Sequence, residues 1–105
     1  KDGSGFMEMS KLYGKLDGAW VKWYSDGKKE EEGKYKGGIK IGTWSRYSME
    51  GAIIEEWNFD NKGRNLYEIT YYDNGTVKEY RDFFSKTIQE YNIDGSLKGD
   101  KIPFN

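Results

Sequence analysis

Gly18-Ala19-Trp20-Val21-Lys22-Trp23-Tyr24-Ser25-Asp26-Gly27 is the stretch from which the fold can be read. Residues 19–24 are rich in aromatic and β-branched side chains, which favour strands. They run straight into Asp-Gly, a strong hairpin signal, because the turn needs a positive φ that Gly tolerates. The same arrangement recurs along the chain. Acidic-or-Asn plus Gly pairs occur at Asp2-Gly3, Asp26-Gly27, Glu50-Gly51, Asn74-Gly75 and Asp94-Gly95, so the glycines are 24, 24, 24 and 20 residues apart. Four residues before the last four glycines stand Trp23, Tyr47, Tyr71 and Tyr91. Two residues after them stand Lys29, Ile53, Val77 and Leu97. Tyr35, Phe59 and Phe83 follow Gly27, Gly51 and Gly75 by eight residues. Gly18-Ala19-Trp20 matches Gly42-Thr43-Trp44, and Gly14 matches Gly38, at the same spacing.

One unit reads as a β-hairpin. Residues 43–48, 53–59 and 66–72 are further strand-like runs, and 36–38 and 61–63 are the turns between units. A 24-residue copy holds two strands of ordinary length and two turns. The expected fold is therefore all-β: an elongated antiparallel sheet of about four stacked hairpins. Its domain is expected over residues 14–105, with a partial repeat or frayed segment over 1–13. No helix longer than about two turns is expected before residue 80. Residues 84–90 are the weak point, where the period shortens.

Period-2 alternation suggests how the faces divide. Val21 with Trp23, Ile69 with Tyr71, Ile53 with Trp57 and Phe59, and Val77 with Phe83 are expected on one side. Lys22, Arg46, Thr70, Glu56, Asn58, Lys78 and Asp82 are expected on the other. Trp20, Trp44 and Tyr72 fall on this polar phase, through either a bulge or a second aromatic row.

Composition limits the chemistry. The 105 residues carry 17 Lys and Arg against 18 Asp and Glu, with no His and no Cys. That balance argues against a strong basic surface for nucleic acid. The missing residue types remove disulfides, thiol nucleophiles, the usual zinc sites and His-based acid–base catalysis. Only 35% of the chain is hydrophobic, yet 18 residues are Phe, Tyr or Trp, a content that disordered chains lack. No run approaches the ~20 apolar residues of a membrane span. Gly3-Ser4-Gly5 is too short and lacks the helix and Lys of a phosphate loop, and reads as a turn or a frayed terminus. The run 28–32, of mixed sign, reads as a solvated edge. The chain opens at Lys1 and not at Met, so an upstream segment is expected, and the compartment, cytoplasmic or exported, is left open.

The segments 18–27 and 42–47, with Gly-x-Trp-x-x-Tyr leading into a turn Gly, resemble the bacterial variant of the MORN-repeat family. Glu-Gly-Lys-Tyr-Lys-Gly-Gly at 32–38 fits the same variant. The likeness is good over residues 14–59, weaker over 60–83, where Leu66 and Glu68 replace the Gly and Trp, and poor beyond 84. The resemblance implies stacked hairpins, bacterial origin and, from its relatives, antitoxin components of toxin–antitoxin systems or scaffolds.

Two sets of residues are candidate sites. Glu31, Glu55 and Glu79 each follow a turn glycine by four, and so should line up on alternate strands. Next-but-one strands lie roughly 10 Å apart, too wide for the ~5–9 Å of a catalytic carboxylate pair, so cross-sheet pairing is the expected role. The row Trp23, Tyr47, Tyr71 and Tyr91 is expected to be core. Trp20, Lys22, Trp44, Arg46 and Tyr72 are expected to form the partner surface, since Trp and Tyr dominate interface energetics. The function expected is a non-enzymatic module that binds another protein or itself, with no cofactor, catalytic residue or metal. Nucleic acid and membrane lipid are not expected partners. The alternatives are a secreted or surface-attached carbohydrate-binding domain and a spacer in a longer array.

Overall fold

The computed structural model describes residues 16–104, with backbone alone at 7–8, 11–12 and 15. Asp2-Gly3, Gly3-Ser4-Gly5 and Gly14 lie outside the described residues, as does most of 1–13. The strands are β1 (Met7–Glu8), β2 (Lys11–Leu12), β3 (Lys15–Leu16), β4 (Gly18–Trp23), β5 (Lys29–Lys36), β6 (Ile39–Tyr47), β7 (Ile53–Phe59), β8 (Asn65–Tyr71), β9 (Val77–Asp82), β10 (Thr87–Glu90) and β11 (Ile102–Pro103). Nine of them form one antiparallel sheet in the order β1-β4-β5-β6-β7-β8-β9-β10-β11, and β2 pairs with β3 separately. From β4 to β10 each strand pairs with its successor in the chain, as stacked hairpins require. No helix occurs among the described residues. The molecule measures 46 × 33 × 16 Å.

The expected turns are present, with a geometry of their own. Gly27, Gly51, Gly75 and Gly95 have φ of 93, 92, 89 and 91°. The amides of Tyr24, Ser48, Tyr72 and Asn92 each donate 2.8 Å bonds to the carbonyl just past the glycine. Each glycine amide donates back to that same residue. This is a type I turn closed by a left-handed glycine, and not a two-residue loop. The residue before the glycine therefore keeps a negative φ. Asp26, Asn74 and Asp94 instead use their side chains to accept the amides of Lys28, Thr76 and Ser96 at 2.9, 3.0 and 2.9 Å.

A β-bulge repeats with the hairpins. Lys22 pairs with Glu31 but Trp23 with Lys29. Arg46 pairs with Glu55 but Tyr47 with Ile53. Thr70 pairs with Glu79 but Tyr71 with Val77. One residue is left over each time: Glu30, Ile54 and Lys78. The extra residue reverses the alternation on the second strand of each hairpin. Ile53 therefore lies with Tyr47, while Trp57 lies opposite Trp44 on the other side, which corrects the expectation that Ile53, Trp57 and Phe59 share a face. Val77 and Phe83 are separated in the same way. Glu56, Asn58 and Asp82 fall beside Ile69 and Tyr67, and not with Arg46.

Two faces result. The tryptophan face carries Trp20, Trp44, Trp57, Arg46 and the carboxylates Glu31, Glu55 and Glu79. The tyrosine face carries Trp23, Tyr47, Tyr71, Tyr67 and Tyr80. The only buried apolar side chains among the described residues are Ile41, 8% exposed, and Trp44, 1% exposed. Trp23, Tyr47 and Tyr71 share a face as expected but are half-buried: the nine-stranded sheet is one layer thick.

Candidate functional site

The row running across the middle of the tryptophan face pairs Trp20 with Gly33, Trp44 with Trp57, Trp57 with Glu68, Glu68 with Arg81, and Arg81 with Ile88. Gly33 decides what happens to Trp44. A Cβ at Gly33 would overlap the six-membered ring of the Trp44 indole. Because none is there, the indole lies down on the backbone of β5. Trp20 packs against it at 5.3 Å between ring centroids, and Tyr35 meets it edge-on at 5.0 Å. Its Nε1 donates to the Lys34 carbonyl at 3.2 Å, and the Lys40 ammonium sits 4.5 Å from the ring centroid. This is a small aromatic core built on one face.

That geometry corrects the expected partner surface. Trp44 is the most buried large side chain described and presents nothing to a partner. Tyr72 does not continue the row of Trp20 and Trp44, whose equivalent in the third unit is Glu68. Tyr72 opens a turn, and its hydroxyl donates to the Tyr91 carbonyl at 2.7 Å, just as Tyr24 donates to the Tyr47 carbonyl at 2.7 Å. Both are clamps between neighbouring hairpins. Trp20, Lys22 and Arg46 do share the tryptophan face.

The row next to it pairs Lys22 with Glu31, Glu31 with Arg46, Arg46 with Glu55, Glu55 with Thr70, and Thr70 with Glu79. Glu31, Glu55 and Glu79 are thus aligned as their spacing predicts. Arg46 stands between the first two and forms an ion pair with Glu55, with its Nε 2.9 Å from Oε1. That bond raises the guanidinium's pKa. Glu79 takes its cation from its own strand, Arg81 at 3.1 Å.

Trp57 was not singled out by the sequence, yet it occupies the centre of this face. It borders two depressions. One, of about 290 Å³, is lined by Glu55, Glu68, Thr70, Glu79 and Arg81. The other, of about 200 Å³, is lined by Glu31, Lys40, Trp44 and Phe59. Trp57 is half-buried, and so more accessible than Trp44.

The tyrosine face carries a second carboxylate row that the sequence reading missed. The hydroxyl of Tyr47 donates to Glu32 at 2.6 Å. Tyr71 and Tyr67 donate to Glu56 at 3.4 and 3.3 Å. Tyr47→Glu32 and Tyr71→Glu56 are the same contact one repeat apart, so the signal was present as a Glu fifteen residues before each Tyr. The Tyr47 bond holds the Glu32 carboxyl below its usual range. Burial, and then Glu56, pushes the Tyr67 and Tyr71 phenols up.

Among the described residues no group of three or more His, Cys, Asp or Glu side chains could hold a metal ion. The surface offers contact area, aromatic rings and paired charges. Neither a scan of protein-family models nor a search of curated proteins gives a match for the chain.

Proposed function

We propose that the chain is a non-enzymatic protein-binding module whose partner lies on the tryptophan face, centred on Trp57. The observation that carries this is the tryptophan face, on which Trp57, half-buried and more accessible than Trp44, stands between two depressions with Trp20, Arg46 and Lys22 around it. Trp and Arg are the side chains that most often supply interface hot spots. Arg46 is already held in place by Glu55, so little freedom is lost on contact. A MORN-like identity, and an antitoxin-like role in which a toxin is neutralised by covering it, belong to this proposal. They rest on the resemblance of residues 14–59.

The test is affinity capture from the native host with three forms of the chain: unmodified, Trp57→Thr, and Tyr67→Thr on the opposite face. Threonine keeps strand propensity at both sites. A partner retained by the unmodified chain and by Tyr67→Thr, and lost with a folded Trp57→Thr chain, supports the reading. Equal capture by all three folded forms refutes it.

A further inference from the structure

We infer that the C-terminal edge of the sheet is a strand-docking site, occupied in cis by the chain's own segment 98–104, which acts as a displaceable strap. The partner it fits is an extended polypeptide with a β-branched aliphatic residue two positions before an aromatic one. This deepens the reading of the chain as a protein-binding module.

The fourth hairpin starts like the others. Tyr91 pairs with Leu97 as Tyr71 pairs with Val77. Continued in the interior register, Lys101 would face Ile88, as Arg81 faces Glu68. Instead Ile102 faces Ile88 and Pro103 faces Thr87. The slip of one residue moves alternate side chains to the other face. It brings Ile102 and Phe104 onto the tryptophan face, where the Phe104 ring meets Phe83 edge-on at 5.6 Å. The Arg81 guanidinium lies 5.3 Å from the Phe104 ring centroid.

Among the described residues, a short pairing and a few polar contacts complete the hold on the strap. It closes on β10 through the Thr87–Pro103 and Ile88–Ile102 pairing, through Lys98 N–H to the Glu90 carbonyl and Phe104 N–H to the Lys86 carbonyl, each 2.9 Å, and through Gln89 Nε2 donating to the Gly99 carbonyl at 3.0 Å. β11 has two residues, against six to nine in β4 to β9. Residues 98–103 are exposed, and Gly99 turns the chain at φ 85°. Segments with few buried contacts and exposed backbone bonds open at low cost. Extended segments that add to an uncovered sheet edge gain main-chain hydrogen bonds, with specificity from alternate side chains.

A second feature, an exposed apolar depression, adjoins the docking edge. The strap runs toward the 83–86 turn, where Phe84 is 92% exposed and Leu66 40% exposed. Phe83, Phe84 and Leu66 line a depression of about 360 Å³. A bound segment that extends past the Phe104 position would reach Phe84, which residues 98–104 do not cover.

The probe is a fluorescent peptide of sequence Lys-Gly-Asp-Lys-Ile-Pro-Phe-Asn, that of residues 98–105. It is titrated into the full chain in three forms: unmodified, Phe104→Ala, and Ile88→Cys with Ile102→Cys. The native chain has no cysteine, and facing residues suit a disulfide, so oxidation locks the strap in place. The Phe104→Ala chain should bind at least about tenfold more tightly than the unmodified one. The oxidised pair should not bind, and reduction should restore its binding. Adding Leu-Leu after the peptide's Asn should tighten binding, and Phe84→Ser should cancel that gain. Equal binding to the oxidised and reduced forms overturns the inference. So does failure of a cooperatively melting Phe104→Ala chain to bind. If Phe104→Ala does not fold, the oxidised and reduced forms decide alone. An unmodified dimer that the peptide dissociates would make the occupant a second copy and overturn the foreign partner. Trp57 is untouched in every form, so failure here leaves the face proposal standing.

Discussion

Trp44 and Glu68 occupy the same place in successive hairpins, and the sheet treats them differently. Trp44 lies on Gly33 with Trp20 and Tyr35 around it and is all but inaccessible. Glu68 stands opposite Trp57 and Arg81, half-buried, accepting a 3.2 Å bond from Asn65. The backbone repeats and the burial does not. What creates a core at one copy is the glycine on the adjacent strand, which lets an indole lie flat. The comparison shows that a repeat of turns and bulges can be regular while its one dense packing site is local.

The largest effect should come from Trp44→Ala. Removing a fully buried indole costs about 3–5 kcal/mol, a large share of the ~5–15 kcal/mol that holds a domain. Glu68→Ala at the equivalent place should cost well under about 1 kcal/mol, as surface changes do. Thermal unfolding of the two variants reads the difference directly. Gly33→Ala comes next. Its methyl has to push the Trp44 ring aside, at about 1–3 kcal/mol for overpacking. If Gly33→Ala melts like the unmodified chain, Gly33 is not what seats Trp44.

Tyr47→Phe tests the opposite face, and its effect should depend on pH. The Tyr47 hydroxyl depresses the Glu32 pKa, so the bond's stabilisation is fully present above the ordinary carboxylate range. It is lost as pH falls through the lower, folded-state value. The gap in melting temperature between the unmodified chain and Tyr47→Phe should therefore be open near pH 7 and close on acidification. A gap that stays constant would assign the effect to packing. The smallest change should be Glu55→Gln, which breaks the ion pair with Arg46. The side chains are partly open to solvent, at 44% for Arg46 and 29% for Glu55, and such pairs are worth about 1 kcal/mol or less. Added salt should shrink the loss further.

The sheet, its turns and the alignment of Glu31, Glu55 and Glu79 were legible because each depends on spacing along the chain. The turn glycines at 27, 51, 75 and 95 fixed the hairpins, and the 24-residue period fixed which carboxylates meet. The faces were not legible, because alternation assumes an unbroken strand. Glu30, Ile54 and Lys78 each insert one residue, and nothing in their side chains marks them as extra. Their common spacing was the available sign. Trp44 was misplaced for a different reason. Its burial depends on Gly33, which pairs not with it but with Trp20, so no property of Trp44 itself tells core from surface. Trp57 was hidden by the same bulge that moved Ile53 away from it.

Two tryptophans face each other across one strand pair with different burial: Trp44 is 1% exposed and Trp57 half-buried, the first read as core and the second as the contact surface. The direct measurement is the thermal unfolding of Trp44→Thr beside that of Trp57→Thr. Trp44→Thr should lose most of its stability, while Trp57→Thr should retain a cooperative transition at clearly higher temperature. Equal losses, or a greater loss at Trp57, would contradict this reading, because Trp57 would then be part of the core and not an available surface.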